Sequence, residues 1–458
     1  MHRLGAVVLV LFTMPAAASA IAGRGLIPAP GLLRLSAGPA AANQLKSSAN
    51  LDRTDTTPIF GGYNNASSSL SAVAADGEAR YAVVGTTGAE AYLAIYESFS
   101  DSWICDSAFV PVDSSDPLRV YDQGHAFGVA FGSGVVYVAG EAHDTTSTVD
   151  DFDAFLQAFD PASCEKVGPV VIEGDVRHDA FKAVAASAAG VIAAGYTGRD
   201  GEEVFLAERW SLDLSAPIYR RYYPLEGTTG GNHTNAITSD DLGNAWAFGF
   251  VHFTPAPSDQ RLEMHGLNPD GSVRDSTIFF QSNSGPSQYT SVRRGADGLI
   301  YSGGTIVDSR LPLESGPFAF FEAGYSTDLR SLRCSLVLEN AIGSSGMDVD
   351  HGSPIPELYA VVTLDPSGGS SRPSSLIRMN GSDCTMVEGF SFGSSDGIDV
   401  PGGLSYDRST DTARIVAGTS GTDFTPNTDG SALVPPENGF QSEFGNVCQS
   451  APGLLRSP

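Results

Sequence analysis

Five of the eight histidines in this 458-residue chain occupy two recurring offsets. His125, the pair His178-Asp179, and His233 stand where short β-rich runs begin. His143 and His252 each stand three residues beyond a glycine that ends such a run, Gly140 and Gly249. Matching offsets in a repeat face the same way, so these side chains are expected to gather on one face. Neutral imidazoles gathered there can bind a polar ligand or a transition metal. The plainer alternative is that polar residues at strand starts cap loops and solvate a channel. No H-x-x-x-H spacing argues for a metal by itself.

Carboxylates offer a second chemistry. Asp150, Asp151 and Asp153 beside Asp144, Asp423 with Asp429, and Asp348 with Asp350 bring the oxygen donors that a calcium ion takes. Ca2+ is therefore the one cofactor left open. None of these runs completes an EF-hand loop, and aspartate is an ordinary turn residue in any case. For hydrolysis the chain holds no H-E-x-x-H. A nucleophile elbow joins a strand to a helix, and no stretch beyond the first twenty residues has helical periodicity. No residue is assigned to catalysis, and the chain leans away from being an enzyme.

The side chains must be placed by a repeat. Apolar runs end in glycine at YAVVG (Tyr81–Gly85), VYVAG (Val136–Gly140), VIAAG (Val191–Gly195), AWAFG (Ala245–Gly249) and IYSGG (Ile300–Gly304). The steps are 140 − 85 = 55, 195 − 140 = 55, 249 − 195 = 54 and 304 − 249 = 55. A sixth unit has LYAVV (Leu358–Val362) without the glycine, and a seventh has Ile415–Gly418, at steps of 58 and 56. Self-similarity at a fixed period signals a repeat architecture.

Each unit offers four strand candidates; in the first they are Leu70–Ala74, Arg80–Val84, Ala91–Tyr96 and Ser107–Val112. Tight Gly-bearing turns such as Asp76-Gly77 and Asp297-Gly298 separate the first two, a hairpin signal. Four antiparallel strands per unit, repeated radially, read as propeller blades. The expected fold is all-β: a seven-bladed β-propeller over 58–448, with Thr57–Gly62 supplying the last strand of the seventh blade and closing the ring.

The run GTSGTDFTPNTDG, Gly418–Gly430, resembles the core of the bacterial seven-bladed β-propeller repeat (SBBP), roughly a strand followed by G-x-T-x-S-x-D-F-P-T. Gly418, Thr419, Ser420, Asp423, Phe424 and Pro426 match it approximately, with Thr425 parting the usual Phe-Pro pair. TPIFGGYN, Thr57–Asn64, resembles the fourth strand of that family. DGLIYSGG (Asp297–Gly304) and HGLNPDGSV (His265–Val273) are similar to the delta-sixty repeat of secreted propellers. The resemblance implies an exported propeller of a bacterial envelope or surface, and carries no catalytic motif.

The remaining composition agrees with export. Residues 1–20 combine His2 and Arg3, an apolar run from Leu4 to Phe12 and a closing Ala18-Ser19-Ala20, the pattern of a secretory signal peptide. Residues 21–57 read as a linker or loosely ordered segment, and 449–458 as a tail. With 53 acidic against 26 basic residues the net charge is −27, which repels nucleic acid and anionic membrane. No later stretch is long and apolar enough for a membrane span.

The five cysteines, Cys105, Cys164, Cys334, Cys384 and Cys448, lack any C-x-x-C spacing. They are read as one position repeated on separate blades, mostly unbridged, with Cys105–Cys164 and Cys334–Cys384 as the minority pairing. The functional expectation is an extracytoplasmic protein, periplasmic, surface-bound or secreted, that binds a protein or glycan without catalysis. The alternatives are a hydrolase or lyase using carboxylates and histidine at the channel mouth, and a structural spacer.

Overall fold

The structure is a computed structural model. It describes the strands Leu33–Leu35 and Leu51–Asp55. From 68 to 446 it describes all but 79, 99–102, 114–115, 148–150, 175–176, 199–202, 225–230, 253–259, 279–286, 308–317, 339–340, 351–355, 365–373, 393–398, 411 and 420–437.

Every described element is a strand, and the strands fall into seven antiparallel repeat sheets of four, one of which carries a fifth strand. They are numbered here in chain order: 68–109, 121–173, 180–223, 232–278, 288–338, 341–392 and 399–446. The first strand of each sheet packs against the first strand of the next, and the series returns from Asp399–Asp407 to Ser68–Ala75. The chain is an all-β propeller with four-stranded blades.

The second strand of each sheet is apolar along its length because it is covered on both faces. Gly190–Thr197 is buried at every position. Apolar side chains of neighbouring sheets interleave: Phe109 and Ile95 with Val138 and Phe155, Leu156 with Val191 and Leu206, Phe248 and Met264 with Phe320 and Val337. The core is thus a set of layers between blades. Burial at roughly 25 cal/mol per Å² of apolar surface makes each seam a stabilising unit.

The recurring glycine has a steric cause. Each first strand carries a one-residue bulge opposite the end of the second strand, at Ser71, Phe127, Lys182, Asn235, Thr290, Ser345 and Gly402. The bulge carries a backbone carbonyl into the space where a Cβ would sit. A Cβ at Gly85, Gly140, Gly195, Gly249 or Gly304 would overlap the carbonyl oxygen of Ser69, His125, Ala180, His233 or Gln288. In the sixth sheet a second register shift, between Ala341 and Gly343, accompanies Val362 in that place. In the seventh the residue opposite the bulge is Ala417, one before the expected Gly418.

The N-terminal region differs from the expectation. Residues 21–57, read as a linker, contain two strands. Leu51–Asp55 pairs antiparallel with Asn438–Asn446 and takes the fourth place on the seventh sheet. The expected strand, Thr57–Gly62, lies outside the described residues. Long-range edge pairing by a five-residue strand leaves no periodic signal to read.

The cysteines are corrected as well. Cys105 bonds Cys164 and Cys334 bonds Cys384, each with Cα atoms 5.7 Å apart. The positions are not equivalent: Cys105 and Cys334 lie on fourth strands, whereas Cys164 and Cys384 sit in the turn before the fourth strand of the next sheet. The two kinds of position meet across a seam, within the reach of a disulfide. Cys448 lies outside the described residues.

One buried carboxyl bears on pH stability. Glu322 accepts hydrogen bonds from Tyr289 (2.7 Å), Tyr325 (3.1 Å) and Ser302 (3.1 Å). Burial raises it from 4.5 to about 7, against the pull of those hydroxyls. Below pH ~4.5 both folded and unfolded forms hold the proton. Between there and ~7 only the folded form does, so stability should fall by about 3 kcal/mol across that window. Urea unfolding at stepped pH should show this slope, and Glu322→Gln should flatten it.

Candidate functional site

The histidines that the sequence singled out converge on three adjacent sheets. His125, His143 and Phe152 come from the second sheet, His178 and Tyr196 from the third, and His233, Phe250 and His252 from the fourth. Their rings form one continuous band. Successive centroids are 5.9 Å apart from His125 to Phe152, 4.8 Å to His178, 5.7 Å to Tyr196, 4.1 Å to His233, 4.8 Å to Phe250 and 5.3 Å to His252. His143 joins through Phe152 at 5.1 Å. Such ring pairs add roughly 0.5–1.5 kcal/mol each beyond area burial.

Local backbone explains the convergence. His125 and His233 precede the bulge of their first strands by two residues and hold the same register, opposite Glu141 and Phe250. On the third sheet Ala180 holds the register of those histidines, and Tyr196, opposite it, takes the place of Glu141 and Phe250. The bulge turns Phe127 and Lys182 out of the ladder, a recognised way to re-aim a side chain. Lys182 Nζ lies 3.5 Å from the centroid of the Phe127 ring.

Two glutamates organise the band. Glu141, with a side chain only 8% exposed, accepts from His125 Nδ1 at 3.1 Å, His178 Nε2 at 3.0 Å and Lys182 Nζ at 3.4 Å. Burial, the largest single influence, opposes its charge, yet the two imidazoles and Lys182 together hold it at about 2. That contribution to stability is complete above pH ~4.5 and lost as pH falls toward ~2, opposite in sign to Glu322. Glu203 pairs with His233 Nε2, whose hydrogen bond lowers its pKa. Burial lowers Lys182, and Glu141 opposes that shift.

A carboxylate only accepts, so the tautomers follow. His125 carries its proton on Nδ1, and His178 and His233 carry theirs on Nε2. The second ring nitrogen of each takes no part in these carboxylate pairs. His178 is the most open, at 45% side-chain exposure, and Glu203 is 44% exposed.

Other singled-out residues play local roles. Asp179 is buried and accepts from the Gly198 amide at 3.0 Å. His143 donates to Asp122 at 2.7 Å, and Gln260 lies 3.3 Å from His252 Nε2. Asp153 accepts from Arg119 at 2.7 Å and Tyr121 at 2.6 Å. Asp151 is raised to about 6, first by burial and then by the charges of Asp153 and Asp144. Asp348 pairs with Arg293 and accepts from the Tyr406 amide. Asp150, Asp423 and Asp429 lie outside the described residues. Among the described residues no three His, Cys, Asp or Glu side chains are set to hold a metal ion.

The sequence reading missed Glu141, Lys182 and Glu203, and with them the aromatic members. Glu141 follows the strand-ending glycine directly, where the other sheets have Thr86, Tyr196, Phe250 and Thr305. An acid in that apolar and hydroxyl series was the available signal. The sequence also holds two hydrolase-like patterns. Ser239–Trp246 fits S-x-D-x-G-x-x-W and is a hairpin turn in which Asp240 caps the Leu242 and Asn244 amides. Gly393–Gly397 fits G-x-S-x-G and lies outside the described residues.

The chain is similar to several solved structures. One is described as the Dos1 propeller, with 10% identity, 86% of this chain and 95% of that one covered, and a TM-score of 0.45. A functionally unknown protein of Desulfotomaculum acetoxidans aligns at 12% identity over 75% and 91%, with a TM-score of 0.42. A protein of unknown function from Bacteroides caccae aligns at 10% over 74% and 82%, with a TM-score of 0.32. No protein-family model matches the chain, and no curated protein is significantly similar to it. Among the described residues no helix is long and apolar enough to cross a membrane.

Proposed function

We propose that this chain is an exported, non-enzymatic, seven-bladed propeller of the SBBP or delta-sixty type that captures a protein or glycan at its histidine-bearing face. One observation carries the reading: imidazole and aromatic rings from three blades form a single band in which the side chains of His178 and Glu203 are nearly half exposed. Aromatic faces with convergent polar groups suit a ligand that is part apolar and part hydroxylated or amide-bearing. The seven sheets and the return of the last onto the first support a closed ring fastened by Leu51–Asp55. Two disulfides suit an oxidising compartment, as does the N-terminal pattern of residues 1–20.

Catalysis is a second reading, favoured by the Glu141–His178 pair, which sets a nearly half-exposed imidazole side chain against a buried carboxylate, an arrangement of the kind general acid–base chemistry uses.

Capture is tested by probing a glycan array and a panel of extracellular proteins with the wild type and with His178→Ala/His233→Ala. The variant also loses the pairs to Glu141 and Glu203 and the ring contacts of His233, so it should melt below the wild type, and binding is compared well below both melting points. Wild-type binding is expected to weaken at least tenfold, about 1.4 kcal/mol. Binding that survives both substitutions puts the ligand elsewhere and defeats the reading.

A further inference from the structure

The fifth sheet carries a strand that belongs to none of the repeats. Leu33–Leu35 runs parallel to Cys334–Leu338, with Leu33 opposite Leu336, Arg34 opposite Val337 and Leu35 opposite Leu338. The partners are 336 − 33 = 303 residues apart. The strand it covers is the fourth and outermost of its repeat. An outer strand presents a row of unpaired N–H and C=O groups, a ready template for another strand. Here the chain supplies that strand itself.

The covering strand is short and separately tethered. It makes three register pairs, and 50 − 35 = 15 residues part it from Leu51–Asp55, which lies on the seventh sheet. Leu336 and Val337 have their side chains buried between blades, so the edge offers an incoming strand chiefly its backbone. Main-chain hydrogen bonds along such an edge give affinity, and alternate side chains give selectivity.

We propose that the outer edge of Cys334–Leu338 is a β-augmentation site for an extended, parallel-running peptide with leucine-like residues at alternate positions, and that Leu33–Leu35 occupies it in cis as a displaceable stand-in. The occupant itself shows the chemistry: a Leu-Arg-Leu run at consecutive register positions. A tethered strand competes at an effective concentration on the order of millimolar, so the intact chain takes a free peptide weakly. Releasing the stand-in opens the edge. This surface is independent of the histidine band, which lies on the second to fourth sheets.

The test uses the full chain and a fluorescent peptide of residues 31–38, GLLRLSAG. Leu33→Pro/Arg34→Pro/Leu35→Pro removes the amide donors of the covering strand without touching the repeats. Fluorescence anisotropy should give a Kd for the peptide at least tenfold lower with this variant than with the wild type. A peptide bearing the same three prolines should bind neither. No saturable binding to the variant, equal affinity for both chains, or equal binding of the proline peptide would overturn the proposal.

Discussion

Reducing Cys105–Cys164 and Cys334–Cys384 is expected to lower the melting temperature by roughly ten degrees. The bridges close loops of 59 and 50 residues by sequence separation. On the chain-entropy account each removes freedom from the unfolded chain worth about 4 kcal/mol. Each also joins two blades, the first to the second and the fifth to the sixth, so reduction loosens two seams of the ring. Melting with and without a phosphine reductant measures the shift. Thiol titration of the unreduced, unfolded chain checks the premise: of five cysteines, 5 − 4 = 1 should react. Five reactive thiols, or a melting point indifferent to reductant, would refute the bridged seams.

Arg414→Met should cost about 3–5 kcal/mol, the penalty for leaving a buried carboxylate unpaired. Arg414 joins the seventh sheet to the first. Its Nη1 donates to Asp407 at 3.0 Å, its Nη2 donates to the Ser98 carbonyl at 2.7 Å, and its guanidinium lies 4.3 Å from the Tyr81 ring centroid. Both charged side chains are almost wholly buried, at 3% and 0% exposure. The companion Arg414→Met/Asp407→Asn removes the stranded charge and keeps the cap on the Ser409 amide. It should recover most of the loss in urea unfolding. A double variant as unstable as the single would assign the cost to packing, and a harmless Arg414→Met would show that this seam is not closed as described.

How much of this was legible depends on which physical constraint wrote the signal. The period was readable because a bulged carbonyl excludes a Cβ at Gly85, Gly140, Gly195, Gly249 and Gly304, and steric exclusion repeats faithfully. The histidine positions were readable for the same reason, since an offset from the bulge fixes a direction. The disulfides were misread because the turn before the fourth strand tolerates unlike residues. Cys164, Leu214, Gly271, Leu329 and Cys384 all have positive φ there, and only one is glycine. A turn held by its hydrogen bonds, such as Cys164 N–H to the Asp160 carbonyl, leaves little trace in composition.

Glu141 and Glu203 escaped for another reason. Each is a single acid in a chain with 53 of them, and its importance comes from imidazoles on neighbouring strands and blades. Lys182 was the better clue. It is one of three lysines and interrupts an apolar strand, AFKAV, which is costly unless a bulge and a carboxylate receive it. The N-terminal strands left the weakest trace, because edge pairing rests on backbone groups that every residue carries.

Two carboxylates, Glu141 and Glu203, lock imidazoles of three blades into one site. Long-range ¹H–¹⁵N correlation of the histidine rings in the neutral range tests it most directly. The expected spectra show His125 with its hydrogen on Nδ1 and His178 and His233 with theirs on Nε2, with Glu141→Ala releasing the first two into mixed tautomers and leaving His233 unchanged. The opposite tautomers in the wild type, or His125 and His178 spectra indifferent to the loss of Glu141, would contradict it.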